Sequence, residues 1–300
     1  MLKKFTSLLL CLSALAALSA CGSNNSQGES GKVKVSVTFN ALCEFVEAVG
    51  GDRVEVSTII PAGTEPHDFE PKAQDLVALG KAQVFVFNGL GMESWTEDAL
   101  SAAGNDNLIV VDASTGVTPI TNTDEAELSE HGQYDPHIWL SLKCAETEVT
   151  NIKDALVKAD SAGKDFYENN CAAYIAKLEA LYNEYSEKFA AAQKKSFVTG
   201  HAAFAYLCRD FGLTQRSVED VFAEGEPSAM QLAELAEFCK ANGVKTIFAE
   251  EMASPEVSET LARDVGAKVE TIYTIESAQD NLSYLERMES NLSKIYASMF

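Results

Sequence analysis

Strand-like and helix-like segments alternate through most of this 300-residue chain, and one stretch, 145–195, breaks the alternation. The segments "KVKVSVTF", "RVEVSTII", "QVFVFNG" and "NLIVVDA" are rich in β-branched residues, and helical patterns such as "NALCEFVEAVGG" and "AQDLVALGKA" lie between them. Buried apolar runs separated by helices predict βαβ units and parallel sheets. Residues 145–195 contain no proline and almost no strand signal. Within them Tyr174, Leu178, Leu181 and Tyr185 recur at three- and four-residue spacing, an amphipathic stripe. A helix of about 28 residues there is about 40 Å long, enough to cross a domain. Alternation then resumes with "KSFVTG", "HAAFAYLCRDFG", "EPSAMQLAELAEFCKANG", "VKTIFAEE", "SPEVSETLARDVG", "AKVETIYTI" and a final helix. Ser228 and Ser254 are in capping position, and Pro255 would open its helix. The expected fold is α/β: two Rossmann-like lobes with parallel sheets, joined by one long rigid helix.

The ends of the chain fall outside that pattern. Lys3 and Lys4 precede a short apolar run, "TSLLLCLSALAALSA", the layout of a secretory signal. The run closes on "LSAC", which resembles a bacterial lipobox with Cys21 as the lipid anchor, and "GSNNSQGESG" follows as a flexible tether. The expected division is a signal peptide at 1–20, a lipidated tether at 21–32, an N-terminal lobe at 33–144, a helical segment at 145–195 and a C-terminal lobe at 196–300. Without the leader the chain carries 21 basic and 45 acidic residues, a formal charge of −24. Nucleic acid is excluded as a partner on that balance. No Lys or Arg occurs between Lys81 and Lys143, where ten Asp and Glu stand. Five cysteines remain beyond Cys21: Cys43, Cys144, Cys171, Cys208 and Cys239, with no C-x-x-C spacing. They are expected as buried small hydrophobes, with room for one or two bridges.

Ligands of open parallel sheets bind beyond the carboxyl ends of the strands. His67 lies in the loop after "RVEVSTII", His137 in "DPHIW", and His201 directly after "KSFVTG". Glu250 and Glu251 end "VKTIFAEE", and Glu276 follows "AKVETIYTI". Three of the four histidines and a carboxylate thus collect on one predicted edge. Three imidazoles and one carboxylate suit a zinc-type ion.

The segments "PAGTEPHDFEPKAQDLVALGKAQVFVFNGLGMESW", "YDPHIWLS", "SFVTGHAAFAYLCRDFGL" and "EPSAMQLAELAEFCKANGVKTIFAEE" resemble the metal-binding lipoprotein family, the zinc and manganese substrate-binding proteins of ABC transporters. The resemblance covers nearly all of the chain beyond the tether, in order. It implies a metal held between two lobes by His67, His137, His201 and Glu276, the last often aspartate in relatives. It implies that Glu250 stands behind the ligands and orients a histidine through its other ring nitrogen. The stretch "TNTDEAELSEHGQYD" is similar to a reduced form of the histidine- and acid-rich loop of zinc-selective relatives. His131 within it is expected to gather metal at most. Manganese-selective relatives tend to carry a carboxylate where His201 stands, so Zn2+ is the expected cargo and Mn2+ the alternative. The implied partners are an ABC permease and its ATPase, with a lipid-anchored monomer on the outer face of the cytoplasmic membrane. An exported zinc hydrolase, with Glu250 or Glu251 as base, is the rival reading, and an adhesin without transport a third.

Overall fold

A computed structural model describes residues 31–122, 133–221, 227–278 and 280–300. The predicted alternation forms two four-stranded parallel sheets. In the first, β1 (Val33–Val37), β2 (Val54–Thr58), β3 (Val84–Phe87) and β4 (Ile109–Asp112) lie in the order β2-β1-β3-β4. In the second, β5 (Ser196–Thr199), β6 (Thr214–Ser217), β7 (Thr246–Glu250) and β8 (Lys268–Ile272) repeat that order as β6-β5-β7-β8. Each sheet reverses its direction of build between its first and third strands. That is where a parallel sheet opens a crevice at its carboxyl ends.

Apolar and polar residues alternate in "KVKVSVTF", yet neither face of the strand it forms is exposed. Ser36 is fully buried in β1, its hydroxyl 3.1 Å from that of Ser57, because β1 is a central strand covered on both faces. Sequence patterning missed β6. Its residues "TQRS" are polar and alternate between exposed and half-buried, as an edge strand permits. All five cysteines within the described residues are free thiols, so no bridge forms among them.

The strand-free segment folds as two helices, α4 (Leu142–Ala159) and α5 (Lys164–Ala191), numbered after α1 (Asn40–Gly50), α2 (Asp75–Leu79) and α3 (Thr96–Ala103). Ser141 caps α4 by accepting from the Cys144 N–H. A single 3-10 turn, Ser161–Gly163, then leads into α5. Asp160 organises that turn, accepting from Arg53, the Tyr167 hydroxyl and the Gly163 N–H. At 28 residues α5 is about 42 Å long. It buries Tyr167, Cys171, Leu178, Tyr185 and Phe189 along one stripe.

The two ends of α5 pack on different sheets' helices. Near its start Tyr174 meets Phe45 of α1 edge-on, and Asn170 donates to the Val49 carbonyl. Near its end Tyr182 and Phe189 pack on Phe211 of α6 (Ala205–Phe211), and Phe189 also meets Tyr296 of α9 (Tyr284–Ala297). The remaining helices are α7 (Ala229–Asn242) and α8 (Glu256–Val265). Ser228 forms the expected cap, with a reciprocal bond to Gln231, but α8 is entered through Pro255 with no side-chain cap from Ser254.

One apolar core runs without interruption from Val35 and Phe85 of the first sheet, through Trp139 and Tyr284, to Phe197, Phe248 and Ile272 of the second. Arg287 of α9 is buried beside it and ion-paired to Glu44 of α1 at 2.9 Å and to Asp280 at 2.7 Å. A seam packed this way resists large rotation of one sheet against the other, since opening it exposes apolar surface and an arginine with its partners.

Glu148 of α4 is fully buried, and neither carboxylate oxygen has a hydrogen-bond partner. Burial, and then the nearby charge of Glu93, push its carboxyl well above the ordinary range. An acid raised in this way binds its proton more tightly folded than unfolded, so it costs nothing below about pH 4.5 and destabilises as pH rises beyond that. Glu148→Gln should therefore stabilise the chain by about 1–3 kcal/mol at pH 8, with the gain shrinking away toward pH 4.5. Urea unfolding at the two pH values reads this, and a pH-independent difference would contradict it.

Candidate metal centre

The four predicted ligands lie outside the strands, each in a segment with its own means of support. His67 follows β2, and its backbone N–H donates to the Glu65 carboxylate at 3.2 Å. His137 lies in the return from β4 toward α4 and leads a 3-10 turn, Ile138–Leu140. Asp135 grips it twice, accepting from the His137 backbone N–H and from Nδ1, each at 2.9 Å. With Nδ1–H committed to that carboxylate, Nε2 carries the lone pair. Asn88, at the end of β3, holds the same loop by donating to the Pro136 carbonyl at 2.8 Å. Tyr206 donates to the Asp135 carbonyl at 2.7 Å.

His201 follows β5 after Gly200. Its carbonyl accepts from Thr199 and Gln215, and its N–H donates to Glu250 at 3.0 Å. The role that the resemblance implies for Glu250 is thereby changed, because it meets His201 through the main chain and not through a ring nitrogen. The cause is geometric. β5 and β7 are neighbours, so a carboxylate ending β7 lies over the first peptide beyond β5. A Cβ at Gly200 would overlap that carboxylate, which explains glycine at this position. The histidine orientation assigned to Glu250 is performed instead by Asp135 for His137. The signal for it was the acid two residues before the histidine in "DPH".

The four side chains converge. His137 Nε2 lies 3.2 Å from Nε2 of His67 and 3.2 Å from Nε2 of His201. Two nitrogens bound to one tetrahedral zinc at about 2.05 Å stand about 3.3 Å apart. Glu276 Oε1 lies 4.0 Å from His137 Nε2, and one donor atom from each of the four residues falls within 4.8 Å of the others. His137, His201 and Glu276 are buried, and His67 is half-buried. Glu276 Oε2 accepts from the Thr274 hydroxyl at 3.0 Å, while Oε1 is buried with no partner. An orphaned acidic oxygen facing three imidazoles is what a divalent cation satisfies. His131 and Cys21 lie outside the described residues.

Electrostatics point the same way. Burial, and then the neighbouring His137, hold His201 well below the usual imidazole range, so it is neutral and able to bind metal. Burial, followed by the charges of Glu65 and Glu251, pushes Glu276 well above the usual carboxylate range. Glu250 is pushed up to about 7, chiefly by burial, and Glu65 and Glu251 are raised for the same first reason. Four acids packed together without a cation repel one another, and a bound dication relieves that. Sequence reasoning did not single out Asp135 or Glu65, and it considered Glu251 only as a hydrolytic base.

Removing the support of His137 should be felt by the metal. Asp135→Ala is expected to weaken Zn2+ binding about 10- to 100-fold, measured by competition with a chelator. Asp135→Asn, which keeps an acceptor for Nδ1–H, should lose less; equal losses would remove the orienting role.

Known proteins share this arrangement of sheets and sequence. The sequence profile of the family described as "ZnuA: Zinc-uptake complex component A periplasmic" matches residues 35–298. A "Putative metal-binding protein" of Treponema pallidum is 47% identical over 273 residues, covering 88% of this chain and 86% of its own. The "High-affinity zinc uptake system protein ZnuA" of Bacillus subtilis is 36% identical, covering 100% of this chain and 99% of its own. Among solved structures, the Zn(II)-bound ZnuA-like domain of Streptococcus pneumoniae AdcA superposes with a TM-score of 0.77 at 34% identity, over 90% of this chain and 99% of that one.

Proposed function

The chain belongs to the zinc-uptake complex component A family, and on that premise we propose that it captures Zn2+ outside the cytoplasmic membrane and delivers it to an ABC permease and its ATPase. The ligands in this reading are His67, His137, His201 and Glu276. The single observation that carries it is the convergence of three imidazole nitrogens, two pairs of them at 3.2 Å, on a buried and unpartnered carboxylate oxygen. The family is a substrate-binding transport component, and the donor count agrees with carriage. Three nitrogens and one oxygen complete a tetrahedral shell, which leaves no position for an activated water and argues against the hydrolase reading. The same donor set favours Zn2+ over Mn2+, which prefers more oxygens.

Capture and release follow from stiffness. The continuous core and α5 limit the movement of the two halves, so release comes from displacing the ligand loops when the permease docks. Cys21, at the head of a tether spanning 21–32, anchors a monomer to the outer face of the membrane after removal of residues 1–20. Residues 33–144 and 196–300 act as the two metal-binding lobes, with 145–195 between them. His131 and the acids around it at most help to gather metal. Among the described residues no helix is long and apolar enough to cross a membrane.

Titration of the metal-stripped protein should show Zn2+ binding more tightly than Mn2+, and Mn2+ more tightly than Mg2+. His201→Ala should cost about 2–4 kcal/mol, or about 30- to 1,000-fold in affinity. Zn2+ no tighter than Mg2+, or an unchanged His201→Ala, would refute the site. Burial raises the Glu276 carboxyl above its ordinary range, so it binds its proton more tightly in the metal-free site; metal binding then releases protons, and affinity falls as pH drops. Calorimetry in two buffers of different ionisation enthalpy measures that release, and its absence would count against Glu276 as a ligand.

A further inference from the structure

The turn that carries Glu276 is built against its own backbone preference. Ile275 has φ +62°, a left-handed conformation that a β-branched residue rarely adopts. Its side chain is fully buried in the apolar core, so isoleucine is retained for packing at a position whose backbone suits glycine. Such a conformation persists only where the surroundings over-determine it.

The surroundings here are specific. The Glu251 carboxylate accepts from two successive amides, with Thr274 N–H donating to Oε2 at 2.8 Å and Ile275 N–H donating to Oε1 at 3.1 Å. These are charge-assisted bonds in a largely buried place, stronger than neutral ones. Around them, Trp139 donates to the Thr274 carbonyl at 2.7 Å, and the Asn40 N–H donates to the Glu276 carbonyl at 3.3 Å. Asn291 pairs with both the N–H and the carbonyl of Tyr273. Strand pairing supplies none of these bonds, since β8 ends at Ile272. Among the described residues only Glu251 accepts from both the Thr274 and the Ile275 amides, so it is the group that can hold Ile275 left-handed.

We infer that Glu251 is a positioning residue of the metal site: by clamping the Thr274 and Ile275 amides it holds Ile275 left-handed and presents Glu276 Oε1 to the cation. The inference rests on the reading of Glu276 as a ligand. Glu251 acts by reach, through two backbone bonds, and not by the charge it adds near the metal. The two modes of action separate on substitution. Glu251→Asp keeps the charge but is one methylene too short to bridge both amides, and Glu251→Gln loses the charge and one acceptor. Glycine at 275 adopts a positive φ without strain, whereas alanine removes the same packing without that freedom.

The test uses the full chain beyond the tether, with Zn2+ affinity from chelator competition and the visible absorption of bound Co2+ as a report on donor geometry. Unfolding of each metal-free variant confirms that it folds. Glu276→Ala, Glu251→Asp and Glu251→Gln should each weaken Zn2+ about 10- to 100-fold and lower the tetrahedral Co2+ bands. Ile275→Gly added to Glu251→Asp should restore most of that loss, and Ile275→Ala should not. If Glu276→Ala weakens binding while both Glu251 variants bind as the parent does, the clamp is overturned and the ligand stands. If Glu276→Ala changes nothing, the ligand reading falls and the clamp with it. Full affinity in Glu251→Asp with loss only in Glu251→Gln would assign Glu251 a role through charge and overturn the clamp. A glycine at 275 that rescues no better than alanine would do the same.

Discussion

Trp139 is fully buried between the two sheets, and its indole N–H donates to the Thr274 carbonyl at 2.7 Å. Its own carbonyl accepts from the Tyr284 hydroxyl at 2.7 Å, and Phe39 packs edge-on against its ring. Trp139 is two positions from His137, and the Thr274 it holds is two positions from Glu276, so one side chain sets the spacing between donors that belong to different halves of the chain. Everything behind it makes that spacing stiff. The core is continuous across the seam, Arg287 ties α9 to α1, and α5 packs on both halves. A site that discriminates ions by donor geometry needs such stiffness, because a loose cage adapts to whichever ion enters.

The second organising feature is the use of buried carboxylates to finish the strands. Parallel strands that end in a crevice leave amide groups without ladder partners, and buried amides must be satisfied. Beyond β3, Glu93 accepts from the Asn88 and Gly89 N–H groups and the Thr38 hydroxyl. At the equivalent end of β7, Glu250 accepts from the His201 N–H, and Glu251 accepts from Thr274 and Ile275. Each sheet thus places acids where its strand order reverses, and each acid steadies a loop that carries a donor. Glu93 secures Asn88, which holds the Pro136 carbonyl next to His137. Burial pushes both Glu93 and Glu250 up to about 7, the cost of taking carboxylates out of water. Near the histidines that same concentration of acid favours the arrival of a dication.

Much of this was legible in the amino-acid order. Parallel sheets followed from β-branched runs such as "QVFVFNG" between helical patterns, and the unbroken stretch 145–195 announced the long helix. The two places where local pattern misleads share a cause. Ser36 is polar yet buried, and "TQRS" is polar yet a strand, because a strand's place in the sheet order decides which faces meet water. No local pattern encodes that place.

The same division holds at the centre. By itself the sequence placed His67, His137, His201, Glu250, Glu251 and Glu276 on one predicted edge, and the resemblance to the metal-binding lipoprotein family picked His67, His137, His201 and Glu276 from among them. Tertiary structure decided how those residues are held. It put Asp135 on the His137 ring, moved Glu250 to the His201 main chain, and set Glu251 beneath a left-handed Ile275. The reason is that a donor's identity is written at one position, while its orientation depends on backbone amides that become available only where strands from distant parts of the chain end side by side.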